Sequence, residues 1–218
     1  MRIIKSAILA VALLVTAGTA AKADYFVWRD AKSGMSLSFP DTWKIVTNQK
    51  PHDVVTIMAP SGRAHAACKV SVSSERRFLI YPPRFGADVQ ELNFNADFWD
   101  QYFKMYDDDM ERQTMDDAGL GRGWAGFTEA QYQTAVPGPW MAKRGIAFAT
   151  NYFDKLYVLD CSSHRDAFAD WKGAFLDIAH SIDFFPAYHQ LMTGNYRNFM
   201  HEPRLDFPDI KLRYRDQY

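Results

Sequence analysis

Acidic side chains are concentrated in one short segment. Six carboxylates fall within 11 residues, and Arg112 is the only basic residue among them. Carboxylate oxygens of this density are calcium ligands, but the spacing is not that of an EF-hand loop. A run of charges more often forms a solvated surface, and docking of a basic partner is the third interpretation. The six are Asp107, Asp108, Asp109, Glu111, Asp116 and Asp117, and the first four are our candidate binding residues.

Motifs of known catalytic chemistry are missing from the sequence. The six histidines show no i, i+2 or i, i+4 pairing, and no Gly-x-Ser-x-Gly elbow is present. We therefore predict no catalytic residue, no metal centre and no cofactor, with weak calcium binding as the alternative. An enzyme, hydrolase-like, would need a site assembled from scattered polar residues near strand ends. The residues for such a site are Asp53, His65, Asp160 and His164.

The first 23 residues have the pattern of a secretory signal peptide. Arg2 and Lys5 precede an apolar run over residues 7–15, and Ala21-Lys22-Ala23 is a small-x-small cleavage site. The run is too short for a transmembrane span, which needs about 20 apolar residues. We predict cleavage near Ala23 and a periplasmic or secreted mature chain with no transmembrane segment.

The charge of the mature chain excludes one class of partner. Cleavage removes three of the 25 basic residues, which leaves 22 basic residues against 26 acidic ones and a net charge of −4. This balance argues against nucleic acid or an anionic membrane as the main partner. The pairs Arg76-Arg77 and Lys143-Arg144 are interpreted as ordinary solvated charges.

Two cysteines, Cys68 and Cys161, remain in the mature chain. Each shares alternate positions with apolar residues in a predicted strand, so both side chains could face one core. An even count in an oxidising compartment favours a disulfide, and two separate buried thiols are the alternative.

Periodicity predicts an α+β domain over residues 24–185. About five short strands cover residues 25–81, followed by a helix that carries Phe94, Phe98 and Tyr102 and is capped by Asn93 or Asn95. A loop at residues 119–123 and a strand at 124–133 come next, and residues 141–150 and 156–162 form a hairpin. The last helix has one apolar stripe and a capping box of Ser163 with Asp166. The stripe consists of Phe168, Trp171, Phe175, Ile178 and Ile182.

Residues 186–218 form a C-terminal extension with six aromatic residues and no clear periodicity. Disordered tails are usually poor in aromatic residues, so we expect this one to dock on its own domain or on a partner. Tyr188, Tyr196 and Phe199 are its candidate binding residues.

Two segments resemble PsbP-like domains. Residues 30–43, from Asp30 through Gly34-Met-Ser-Leu-Ser-Phe39-Pro40 to Trp43, resemble the opening of these domains, and the helix that ends at Phe184 resembles their closing helix. Met35 stands where the family usually has Phe. The resemblance implies an antiparallel sheet with helices on both faces, an α/β/α sandwich, and an accessory or binding module rather than an enzyme.

The sequence thus predicts an exported, non-enzymatic binding or accessory protein of the cell envelope. Its partner is expected to be an envelope protein or a small ligand. The extracytoplasmic enzyme described above and a structural envelope component are the alternatives.

Overall fold

The computed structural model describes residues 24–46, 50–80, 86–107, 109–121, 123–135 and 140–185. The predicted signal peptide, Asp108 and the C-terminal extension with Tyr188, Tyr196 and Phe199 lie outside these ranges.

The predicted opening hairpin is present, but it belongs to a sheet of its own. Strand β1 (Tyr25–Asp30) pairs antiparallel with β2 (Met35–Pro40), and β10 (Asp183–Phe184) pairs with the other edge of β2. In β2 every second side chain is buried, as the alternation of apolar residues with serine predicts. The five strands of residues 25–81 are therefore divided between two sheets.

The larger sheet has seven antiparallel strands in the order β3-β4-β5-β9-β8-β7-β6. Its last four strands along the chain pair as successive hairpins, which confirms the predicted hairpin at residues 141–162. The strands are β3 (Lys44–Val46), β4 (Asp53–Met58), β5 (Ala67–Ser74), β6 (Glu111–Leu120), β7 (Gly123–Thr134), β8 (Met141–Tyr152) and β9 (Lys155–His164).

The loop expected at residues 119–123 is shorter than predicted, because β6 continues to Leu120. Residues 121 and 122 separate β6 from β7, and the φ of +60° at Gly121 is a conformation that favours glycine. A side chain there would also meet Phe184, since a Cβ on Gly121 would lie 2.5 Å from that ring.

Within the described ranges three α-helices flank the large sheet: α1 (Gly86–Asn93), α2 (Ala96–Lys104) and α3 (Phe168–Ser181). Asn95 caps α2 by accepting a hydrogen bond from the Phe98 backbone, as predicted. The prediction of a capping box at Ser163 is wrong, because the chain forms a 3₁₀ turn at Arg165–Ala167 before α3. In this turn the Nδ1 atom of His164 accepts from the backbone of Asp166.

The elements form layers on either side of the large sheet. On one face α3 packs against β2, β8 and β9 with the predicted stripe, of which Trp171 is half-buried and the rest are buried. On the other face α2 covers β7, β8 and β9 with Trp99 and Phe103. The fold is thus the predicted α+β sandwich of an antiparallel sheet between helices. None of the described helices has the length and apolar character needed to span a bilayer.

The predicted disulfide is present between Cys68 and Cys161. The two residues are direct partners on the neighbouring strands β5 and β9, with Cα atoms 4.0 Å apart. Both are buried in the core beneath α3. Because their sulfur atoms are bonded to each other, the alternative of two separate thiols is excluded.

Candidate functional site

Strand register places several polar residues on the face of the large sheet that α2 covers. Lys69 on β5 lies directly opposite Asp160 on β9, and Lys143 on β8 lies opposite Tyr132 on β7. Ser162 follows Asp160 by two positions and therefore faces the same way. The disulfide faces the other side, because Cys161 lies between the two.

Asp160 is the anionic centre of this face and is only 4% exposed. The hydroxyls of Tyr102 and Tyr106 donate to its Oδ2 atom at 3.0 and 3.1 Å, and the Lys69 ammonium lies 3.5 Å from the same oxygen. Tyr102 lies in the last turn of α2 and Tyr106 in the turn that follows it, so both hydroxyls reach this carboxylate from the C-terminal end of the helix. This carboxylate thus joins helix and sheet through three polar contacts.

Positive charge accumulates around that carboxylate. The ammonium groups of Lys50 and Lys69 lie 4.7 and 4.4 Å from the centre of the Tyr106 ring. Burial and then the neighbouring Lys69 lower the pKa of Lys50. Burial and then Asp160 raise the pKa of Tyr102 well above its usual value. Tyr102 therefore stays protonated and donates to Asp160.

Lys143 is a lysine buried on the covered face of the sheet. Its side chain is 6% exposed and makes a single long hydrogen bond of 3.5 Å to Ser162 Oγ. Among the described residues it has no ion-pair partner. Burial lowers its pKa, Asp160 opposes that shift and Lys69 adds to it. A perturbed lysine of this kind is typical of functional sites.

A cavity of about 290 Å³ opens beside Lys143 at the end of strands β6, β7 and β8. Its walls combine three carboxylates, two basic side chains, two glutamines and two aromatic rings. Trp140 is 71% exposed there. The lining residues are Asp107, Asp109, Glu111, Gln131, Tyr132, Gln133, Trp140, Ala142, Lys143 and Arg165.

Three of the four predicted acidic binding residues meet at this cavity. Asp107 is held in place because its carboxylate accepts from the backbone of Gln133 at 2.7 Å and of Asp109 at 3.0 Å. Asp116 and Asp117 do not join them, since they lie further along β6 opposite residues 126 and 127. Within the described ranges no group of three acidic, histidine or cysteine side chains is arranged to hold a metal ion. Calcium binding stays an untested prediction, because Asp108 lies outside these ranges.

The scattered residues of the enzyme alternative do not form one site. Asp53 joins the Asp160 region, where it accepts from Ser71 Oγ at 2.7 Å and acts on the pKa of Lys50. His164 lies at the end of β9, with Nδ1 3.8 Å from the Asp166 carboxylate, and His65 lies in the β4–β5 connection. Neither histidine lines the cavity.

The interpretation of Lys143-Arg144 as a solvated pair was wrong. Lys143 is buried, and Arg144 pairs with the buried carboxylate of Glu129 on the other face of the sheet. The available signal was the position of Lys143 in β8, where Gly145, Ala147 and Ala149 follow at alternate positions. A lysine that begins a row of small residues on a covered face is not in a solvated setting.

Replacement of Lys143 by methionine should stabilise the domain by about 0.5–2 kcal/mol at neutral pH, because it removes a desolvated charge. The pKa of Lys143 lies below its ordinary value of 10.5. Folding therefore disfavours the charged form, and the penalty is fully present below the folded-state pKa and disappears as the pH approaches 10.5. Urea unfolding at pH 7 and pH 10 measures both values. An equal gain at the two pH values would assign the effect to packing instead.

Comparison with known proteins shows the fold. No family model matches the sequence, and no curated protein matches it significantly. Among solved structures, the cyanobacterial PsbP (CyanoP) of Synechocystis matches with a TM-score of 0.52 and 16% identity over 77% of this chain and 96% of that one.

Two further structures are similar at lower scores. LpqN of Mycobacterium tuberculosis, described as involved in cell envelope biogenesis, has a TM-score of 0.48 and 14% identity over 76% of this chain and 92% of that one. The Ran-binding protein Mog1p of Saccharomyces cerevisiae has a TM-score of 0.45 and 8% identity over 75% of this chain and 96% of that one. These two likenesses carry no functional weight, whereas the match to CyanoP and the layer order agree that the chain has a PsbP-like fold.

Proposed function

We propose that this chain is an exported binding protein of the cell envelope and that the cavity beside Lys143 holds a small ligand. The observation that carries the proposal is Lys143, a buried lysine that lines an open cavity and has no ion-pair partner among the described residues. Burying a charge is costly unless it is paired. A ligand that supplies the missing partner makes the arrangement favourable.

The shape and lining of the cavity also support a small ligand rather than a protein. Its volume of about 290 Å³ is at the lower limit of ordinary small-molecule sites. A few convergent polar groups beside aromatic side chains are the usual composition of such sites, and Lys143, Arg165, Tyr132 and Trp140 provide them.

Export is supported by two independent features. Residues 1–23 have the charged, apolar and small-residue regions of a signal peptide. The disulfide between Cys68 and Cys161 is of a kind that persists in oxidising compartments and is rare in the cytosol. A mature N-terminus at Asp24, found by sequencing the protein from the envelope fraction, would establish the processing.

The binding function predicts that the mature chain, purified from the envelope of its own host, carries a small molecule in native mass spectrometry. Lys143→Met should carry much less of it, because one charged partner of the ligand is gone. Lys104→Gln is the matched control, since it removes an exposed lysine of α2 that does not line the cavity, and it should retain the molecule.

A chain that carries no small molecule but crosslinks to an envelope protein would contradict this function. It would favour the second function predicted from the sequence, docking of a protein partner through the acidic residues or the C-terminal extension.

A further inference from the structure

We infer that the ligand carries both a carboxylate and a free amino group, as an amino acid or a short peptide does. This inference rests on the proposed function and specifies the chemistry of its ligand. It follows from the basic and acidic side chains that line one small cavity. Among the described residues, these basic and acidic side chains form no ion pairs with each other.

The carboxylate belongs at Lys143. Lys143 is 6% exposed, and among the described residues its ammonium has one hydrogen bond, at the long limit of 3.5 Å, so at least one of its three donors is available to a ligand. A carboxylate is one of the groups that form strong charge-assisted hydrogen bonds with an ammonium. It would also offset the desolvation that lowers the pKa of Lys143 in the empty site.

Arg165 provides a second donor for the same group. It lies in the 3₁₀ turn before α3 and lines the cavity, and its guanidinium makes one long hydrogen bond of 3.4 Å to the side chain of Gln131. A guanidinium with most of its donors available can bind a carboxylate through two parallel hydrogen bonds.

The amino group belongs at the acidic wall. Asp109 and Glu111 are exposed, and neither forms an ion pair within the described part of the chain. Asp107 is fixed by its two backbone hydrogen bonds and contributes further negative charge. With Lys143 and Arg165 charged, the five charged side chains of the lining sum to one negative charge, so a simple anion is not the ligand that this cavity fits.

The dimensions agree with a small molecule that reaches both walls. A sphere of 290 Å³ is roughly 8 Å across, and an extended dipeptide spans at most about 7 Å. Trp140 exposes most of its ring at the same cavity and offers an apolar surface for a side chain of the ligand.

The inference is tested with a mixture of the common amino acids and their dipeptides with glycine, incubated with the full mature chain after removal of any bound molecule. Native mass spectrometry identifies the component that is retained. Calorimetry then compares this component with its N-acetyl derivative and its carboxamide. Each derivative should bind about 10- to 100-fold more weakly, because each loses one charge-assisted contact.

Two variants assign the contacts independently of stability. In Lys143→Met the preference for the acid over the carboxamide should shrink to the part that Arg165 provides, while the free amine should still bind more tightly than the N-acetyl form. In Glu111→Gln the preference for the free amine should shrink while the preference for the acid persists. Lys104→Gln should keep both preferences.

Equal binding of the acid and the carboxamide, or of the amine and its N-acetyl form, by the unmodified chain would overturn the inference. If the envelope-purified chain holds a molecule that lacks one of the two groups, the binding function stands and the inference is wrong. A chain that retains nothing from the envelope or from the mixture contradicts both.

Discussion

Loss of the disulfide should lower the free energy of unfolding by about 4–5 kcal/mol, because the bond closes a long loop in the unfolded chain. Cys68 and Cys161 are 93 residues apart in sequence but direct neighbours across β5 and β9. Replacement of both by alanine removes this restriction on the unfolded ensemble and leaves a small defect in the core beneath α3. Urea unfolding of the oxidised chain and of the double variant measures the difference.

The single variant Cys161→Ala is the internal control for this result. It also lacks the bond and should agree with the double variant to within about 1 kcal/mol, since one buried thiol behaves as a small apolar side chain. The unmodified chain, unfolded and refolded with a reductant present, should match both variants. A loss below about 1 kcal/mol would mean that the unfolded chain retains contacts between these strands.

The elements predicted well from the sequence are those whose two faces differ in polarity. In β2 apolar residues alternate with serine, and in α3 the apolar residues form one stripe, so a single segment carries enough information to assign it. The strand β6 was not recognised because charged residues such as Asp116 and Asp117 occupy its exposed positions. It is the edge strand of the large sheet, where charged residues are common and obscure the strand pattern.

The division into two sheets was also beyond sequence reasoning. The strand β10 has only two residues, Asp183 and Phe184, and its pairing with β2 spans almost the whole domain. A local sequence pattern cannot indicate that two strands so far apart in the chain pair with each other. The resemblance of residues 30–43 to PsbP-like domains implied the layer order but not this division, since it predicted one central sheet.

At the candidate site, the sequence indicated the acidic residues because they form an unusual run of charges. It did not indicate Lys143, whose burial depends on how the strands pair. The acidic segment was visible as a run, and three of its members line the cavity. In the sequence Lys143 has the appearance of a surface lysine. The strand pairing places it opposite Tyr132 and two strands away from Lys69, on the face that α2 covers. The C-terminal extension stays a prediction.

The Asp160 carboxylate should be the most sensitive single polar position in the domain. Asp160→Ala should lower the free energy of unfolding by about 3–5 kcal/mol, because removal of one partner leaves buried charges and hydroxyls unsatisfied. The groups left behind are the Lys69 ammonium and the hydroxyls of Tyr102 and Tyr106. Urea unfolding at neutral pH measures the loss.

Asp160→Asn separates the two causes of that loss. The asparagine oxygen can still accept from Tyr102 and Tyr106, whereas the negative charge that balances Lys69 is gone. We expect Asn to recover part of the loss, and Lys69→Met in the Asn background to recover most of the remainder because it removes the uncompensated ammonium. If Lys69→Met instead destabilises both backgrounds equally, the two side chains are not coupled, and the hydrogen bonds of the tyrosines alone explain the effect of Asp160.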